Sequence, residues 1–162
     1  MSSFFIFEYP SENETMSEFI ENKLNGFEEV DDWRDEDGCQ KKSKGKTCTR
    51  ITDVCKTENI VFILRRLISI DGNLEIVKAR VPLGREILLK DVKGRTGTFA
   101  PISVIHHMGE VFNDTTRGHY QADILDKRLN QWVRTSDAEA PSLISETEIT
   151  DQGYIFLYKK KL

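Results

Sequence analysis

Two segments decide how this chain is read: Gly118-His119-Tyr120-Gln121-Ala122-Asp123-Ile124-Leu125, and then Gln131-Trp132-Val133-Arg134-Thr135-Ser136-Asp137. Gln121–Leu125 and Gln131–Thr135 read as strands, and Asp126–Asn130 is a polar link of hairpin length between them. If the two strands pair, the far end of the second returns beside His119. Ser136 lies seventeen residues after His119, and Asp137 eighteen. Histidine takes and returns a proton near neutral pH, and an oriented base needs a partner on its second ring nitrogen. Ser136 or Asp137 is the candidate partner. Gly118 has no Cβ, so another backbone can come close. A histidine at the head of a strand is also commonly no more than a polar edge residue, so the hairpin is what gives His119 its interest.

Outward from that hairpin, most of the chain reads as strand. Residues 3–9 are apolar on both faces, and Pro10 ends them. Thr15-Met16-Ser17-Glu18 has the form of a capping box, with Phe19, Ile20 and Leu24 at helical spacing and a stop near Asn25-Gly26. Phe27–Gly38 is acidic and Gln40–Lys46 basic, so residues 28–46 are expected to be a flexible, solvated loop, with residues 39–48 reading as a hairpin tip or a mobile loop. Thr47–Val54 alternates β-branched and polar residues and reads as a strand. Ile60–Ile70 is read as one central apolar strand, with Asp71-Gly72-Asn73 turning into Leu74–Val81. Ile87–Leu89 is a short strand. Thr98–His107 is a longer one, with Pro101 marking an edge or a bulge. Met108–Arg117 reads as a polar loop, Ser142–Glu148 as a helical turn, and Tyr154–Tyr158 as a closing apolar strand. One helix and about seven strands give an α+β fold, a mainly antiparallel sheet with one N-terminal helix on one side.

Composition excludes several function classes. Net charge is −4, whereas a nucleic-acid partner needs a basic face. No apolar run approaches the ~18 residues of a membrane span. The apolar start, Met1–Glu8, is short and lacks a basic lead, so it is not expected to be a signal peptide. Three cysteines, Cys39, Cys48 and Cys55, suggest a reducing compartment, cytoplasm or nucleus, without a disulfide framework. They include no Cys-x-x-Cys pair, so no structural metal is expected. No Gly-rich phosphate loop occurs, and no cofactor is expected. His106 and His107 are adjacent, so on a strand they face opposite sides; one is expected to be core-facing and hydrogen-bonded.

Gly-His-Tyr, then Trp132, a polar pair ending in Asp137, and a Gly153-Tyr-Ile-Phe-Leu-Tyr158 strand resemble the His box of the ubiquitin-specific proteases. These are papain-like cysteine hydrolases that cut after the C-terminal glycine of ubiquitin. Asn59–Leu67, Arg80-Val81-Pro82-Leu83, Ala100–His107 and Phe4–Asp32 resemble further segments of that family. The similarity covers most of the chain but only the C-terminal, palm-and-fingers half of a full domain. It implies one partial domain over residues 1–162, with ubiquitin or its conjugates as partner and neither nucleic acid nor membrane. It also implies a missing segment or separate chain that supplies the thumb. By resemblance His119, Ser136 and Asp137 are catalytic, Gly118 and Tyr120 line the slot for a Gly-Gly tail, and the 108–117 loop covers that tail.

The nucleophile departs from the pattern. The family's Cys box is Gly-Asn-Thr-Cys-aromatic before a long helix, and Gly45-Lys46-Thr47-Cys48 resembles only a fragment of it. Thr49–Asp53 reads as strand, whereas a reactive thiolate is favoured at a helix N-terminus. Hydrolysis by this chain alone is therefore not expected. The alternative reading is a non-catalytic, β-rich module that binds ubiquitin or another protein.

Overall fold

Alternation of apolar residues builds the centre of the fold. In a computed structural model, residues 2–7, 14–33, 43–70, 73–77, 81–112, 115–137, 139–145 and 153–161 are described. Strand β4 (Asn59–Leu64) turns Ile60, Phe62 and Leu64 into the core. Strand β12 (Gly153–Lys160) adds Phe156 and Tyr158. These two strands pair antiparallel, Phe62 opposite Phe156. Strand β1 (Ser2–Phe7) joins the other edge of β4 in parallel, Phe5 opposite Phe62. Phe5, Phe7 and Tyr158 all set their rings against Phe62, at centroid distances of 5.6, 6.1 and 5.5 Å.

Helix α1 (Met16–Asn25) lies against this core. Its capping box forms as expected: Thr15 Oγ1 accepts from the Glu18 amide, and Glu18 accepts from the Thr15 amide. Met16, Phe19, Ile20 and Leu24 are buried. The helix also covers a sheet edge. Strand β7 (Ile87–Lys90) has one side paired with the start of β8 (Thr96–Phe112). On its other side, Asn25 donates to the Leu88 carbonyl and accepts from the Lys90 amide, at 2.9 and 3.1 Å. Glu21 accepts from the Leu88 amide at 2.6 Å. Edge groups that would otherwise invite a foreign strand are thus occupied. The chain enters β7 through Gly84, whose φ of +77° is a left-handed conformation, and a Cβ there would meet Ser17 of the helix at 2.8 Å.

The remaining strands are β2 (Glu28–Trp33), β3 (Ser43–Thr47), β5 (Leu67–Ile70), β6 (Asn73–Ile76), β9 (Thr115–Asp126), β10 (Gln131–Ser136) and β11 (Ser142–Ile144). The main sheet runs β1-β4-β12-β8-β9-β10-β11, while β2–β3 and β5–β6 are separate hairpins. The fold is α+β, mainly antiparallel, with the N-terminal helix on one side. Among the described residues, no helix is long and apolar enough to cross a membrane.

Several expectations are corrected. Of the loop expected over residues 28–46, 28–33 and 43–47 are paired strands, with Glu29 opposite Lys46; acidic and basic runs that face one another favour pairing. Residues 34–42, with Cys39, lie outside the described residues. Thr47–Val54 is not a strand. Asp53 Oδ1 accepts from the amides of Cys55 and Lys56, an Asx turn. Ile60–Ile70 breaks at Arg65-Arg66, where buried Arg66 leaves the β4 ladder and receives the Val77 amide. Met108–Arg117 is not a loop: β8 runs to Phe112 and β9 starts at Thr115, forming one long ribbon. Residues 142–144 form an edge strand rather than a helical turn, and residues 146–148 lie outside the described residues. At Pro101 the bulge alternative holds and the edge does not: it sits on the central strand β8, where its partner changes from β7 to β9 and the pairing with β12 shifts register. That place suits a residue without an N–H.

The turn between β7 and β8 rests on Asp91, which is fully buried. Its carboxylate accepts from the amides of Lys93 (2.8 Å), Arg95 (3.0 Å) and Val54 (3.3 Å), and from Arg95 Nε (2.7 Å). Burial works to raise its pKa, but the Arg95 guanidinium and the three amides outweigh it and bring the group to about 2. A depressed carboxylate contributes stability that is whole above its unfolded pKa and is lost as pH falls through the folded one. Asp91→Asn should therefore lower the urea midpoint at neutral pH, and its gap to the wild type should close as pH approaches about 2. A gap that stayed constant over that range would show that the carboxylate's charge does not hold the turn.

Candidate active site

Strands β9 and β10 form the hairpin that the spacing predicts. Gln121 lies opposite Ser136, Asp123 opposite Arg134, and Leu125 opposite Trp132. Asp126 Oδ1 accepts from the amides of Arg128 and Leu129, at 2.8 and 3.3 Å, and Asn130 takes a left-handed φ of +50°, which closes the link. This register places Ser136 diagonally across from His119 on one face.

The structure brings His119, Ser136 and Asp137 together at one ring nitrogen. His119 Nε2 is 2.6 Å from Ser136 Oγ and 3.0 Å from Asp137 Oδ1. Nδ1 of His119 has no hydrogen-bond partner among the described residues. With Nε2–H donated to these oxygens, Nδ1 carries the lone pair and is the basic atom. The imidazole is 38% exposed, and the Asp137 side chain 84%. Ser136 is a neutral acceptor, and Asp137 brings a charge that water screens.

Gly118 and Tyr120 lie elsewhere. Successive side chains on a strand alternate between faces, so Tyr120 is on the opposite face of the ribbon from His119. Its ring sits 4.8 Å from that of His107, its cross-strand neighbour, and it is 56% exposed. Gly118 faces Gly109, and a Cβ on Gly118 would come 2.5 Å from His107 Nε2 and 2.8 Å from Gly109 Cα. Only the backbone at Gly118 can meet a ligand that also touches the His119 imidazole.

The described cysteines are remote from His119. Exposed Cys48 lines a cleft with Ile6 and Phe7 of β1. In the sheet order β1 and β9 are four spacings apart, roughly 19 Å at about 4.8 Å per spacing. Exposed Cys55 lies by the end of β12 away from Gly153, where Lys160 Nζ donates to its carbonyl at 3.3 Å. Among the described residues, no cluster of His, Cys, Asp or Glu could hold a metal ion. A groove of about 750 Å³ beside Trp132, Leu125 and Ile144 opens at the other end of the β9–β10 hairpin from His119.

One group escaped the reading of the sequence. Asp123 is fully buried and accepts from Arg134 Nε and Nη2, at 2.8 and 2.9 Å, and it is 2.6 Å from His106 Nε2. Burial works to raise its pKa, but hydrogen bonds from Arg134 and His106 hold it below the ordinary aspartate value. The hairpin register carried the signal, because it sets Asp123 directly opposite Arg134. His106 is the core-facing member of the His106-His107 pair.

Comparison with known proteins follows this geometry. No curated protein sequence matches the chain. Solved structures do. The Ubp8-Sgf11-Sgf73-Sus1 SAGA DUB module matches with a TM-score of 0.66 at 16% identity, over 99% of this chain and 34% of the matched one. A Ubp8/Sgf11/Sus1/Sgf73 module bound to monoubiquitin gives 0.65 at 16%, over 99% and 35%. A yeast SAGA DUBm structure gives 0.61 at 14%, over 99% and 34%. At these identities the likeness is one of fold, and the chain spans about a third of the length of the structures it matches. The sequence profile of ubiquitin carboxyl-terminal hydrolases matches residues 6–158. That span takes in nearly all of the sheet, the helix and the His119 hairpin, and the chain belongs to the ubiquitin carboxyl-terminal hydrolase family.

Proposed function

We propose that this chain is the palm-and-fingers part of a ubiquitin-directed thiol hydrolase, able to hold ubiquitin but not to cleave its conjugates alone. One observation carries the reading: Ser136 and Asp137 both meet the Nε2 of His119, and among the described residues none hydrogen-bonds Nδ1, which is the atom proposed as the base. In this role Nδ1 takes the thiol proton of a nucleophile and returns it to the leaving amine, while Ser136 and Asp137 keep the ring oriented. The thiol comes from a segment or partner chain that also supplies the thumb: the described cysteines, Cys48 and Cys55, lie too far from His119 to serve, and Cys39 has no Cys-box sequence around it. A reducing cytoplasmic or nuclear setting suits such chemistry. Without a thumb the ubiquitin tail has one open wall. Most binding energy in such interfaces comes from a few enclosed contacts, so affinity should be weak, on the order of 100 µM or poorer, equivalent to about 5 kcal/mol.

Titrating labelled ubiquitin with the folded chain should move resonances of the ubiquitin tail. Absence of shifts at millimolar chain would favour the plain interaction module. A ubiquitin probe with a thiol-reactive end should leave the chain unlabelled; labelling of Cys48 that disappears in His119→Ala would revive a self-sufficient protease. Gly118→Ala sets a Cβ against the His107 ring and against the backbone of Gly109 and Met108, so tail shifts lost in this variant place Gly118 in the tail slot only where its core resonances are unchanged; core resonances that move with them make it a packing residue.

A further inference from the structure

Three ionisable side chains that the proposed chemistry does not use lie beside His119: His106 and Asp123, which are buried, and Arg134, which is partly exposed. Residues two apart on a strand share a face, so the face that carries His119 is a grid of cross-strand rows. One row is Val104, Asp123 and Arg134. The next is His106, Gln121 and Ser136, and the third contains Met108 and His119. His106 reaches diagonally from the second row to Asp123 in the first, and Ser136 reaches diagonally from the same row to His119 in the third.

We infer that the His106–Asp123–Arg134 cluster is a positioning device. It holds β8, β9 and β10 in the register that sets the Ser136 hydroxyl on His119 Nε2. Next to His119 the ribbon pairs Gly109 with Gly118, and Gly-rich strand pairs specify register weakly. On the Asp123 side three strands each contribute one member of a hydrogen-bonded cluster. A slip of one residue would turn Asp123 to the other face and leave His106 and Arg134 without their carboxylate. Ordinary stabilisation accounts poorly for the cluster, since apolar residues of like volume serve as well or better in buried sites. What the cluster adds to the register set by the apolar pattern is a penalty on slippage, since a buried carboxylate keeps its donors in one register only.

The test is an NMR comparison of the full isotope-labelled chain. Two signals are read: the His119 tautomer, from long-range imidazole nitrogen correlations, and the cross-peak between the His119 ring and the Ser136 β-protons. Asp123→Asn, and the milder Arg134→Lys, which keeps its charge but cannot grip both oxygens, should lose the cross-peak and mix the tautomers while the core signals persist. Val133→Ala, on the other face of β10, should change neither. Should Asp123→Asn fail to fold, the combined Asp123→Leu, Arg134→Met and His106→Leu variant removes the polar cluster while keeping apolar packing. Loss of the cross-peak in folded Arg134→Lys and in the combined variant supports the assignment. An unchanged cross-peak and tautomer in folded Arg134→Lys or in the combined variant overturns it. Neither signal depends on ubiquitin binding, so the two readings stand or fall separately, although the catalytic consequence rests on the proposed role of His119.

Discussion

A carboxylate under the sheet decides which face of β9 is which. Burying Asp123 would cost several kcal/mol if it stood alone. The cost is offset because Arg134 supplies two donors and His106 a third. Once Asp123 points inward, His119 and Gln121 must follow on the same face, and Gly118, Tyr120, Ala122 and Ile124 must point outward. An apolar reading of β9 would favour the reverse, with Tyr120 and Ile124 inside. Instead these two are exposed, and Asp123 is not.

The sheet thus divides its labour across its width. From β1 to β8 the inward residues are Phe5, Phe62, Phe156 and Val104, along one cross-strand row. The same row continues as Asp123 and Arg134. Each fully buried apolar side chain contributes about 1.5–3 kcal/mol, so the first half of the row, backed by α1, carries most of the stability. The polar half is free to hold titratable groups because the apolar half already holds the strands together. Val104 marks the boundary, packed in the core on one side and paired with Asp123 on the other.

What the sequence reveals depends on the range of the interactions. The capping box of α1 is local and was legible from Thr15 and Glu18 alone. The β9–β10 hairpin is nearly as local, and with it came the meeting of His119, Ser136 and Asp137. Polarity misled where strand pairing outweighed it. Residues 28–33 and 43–47 look like a charged loop, yet they pair as a hairpin with Glu29 opposite Lys46. Met108–Arg117 looks like a loop for its Gly109 and Asn113-Asp114, but the β-branched Val111, Thr115 and Thr116 lie in paired strands. In Thr47–Val54 the β-branched residues suggested a strand, and the Asx turn at Asp53 prevailed. The role of Asp123 was half legible: Arg134 lies opposite it in the hairpin, but His106 belongs to a strand whose register no local pattern sets.

The choice of acceptors at His119 bears on what such a site can do. Two oxygens share one Nε2–H, and neither is a buried carboxylate. Ser136 Oγ is the nearer, at 2.6 Å, and carries no formal charge; Asp137 is charged but mostly in water. A neutral acceptor fixes the plane of the ring as well as a carboxylate would, since direction depends on geometry. Ser136 therefore does for the plane of the ring what a carboxylate would do, while Asp137, lying mostly in water, adds only a screened charge beside it.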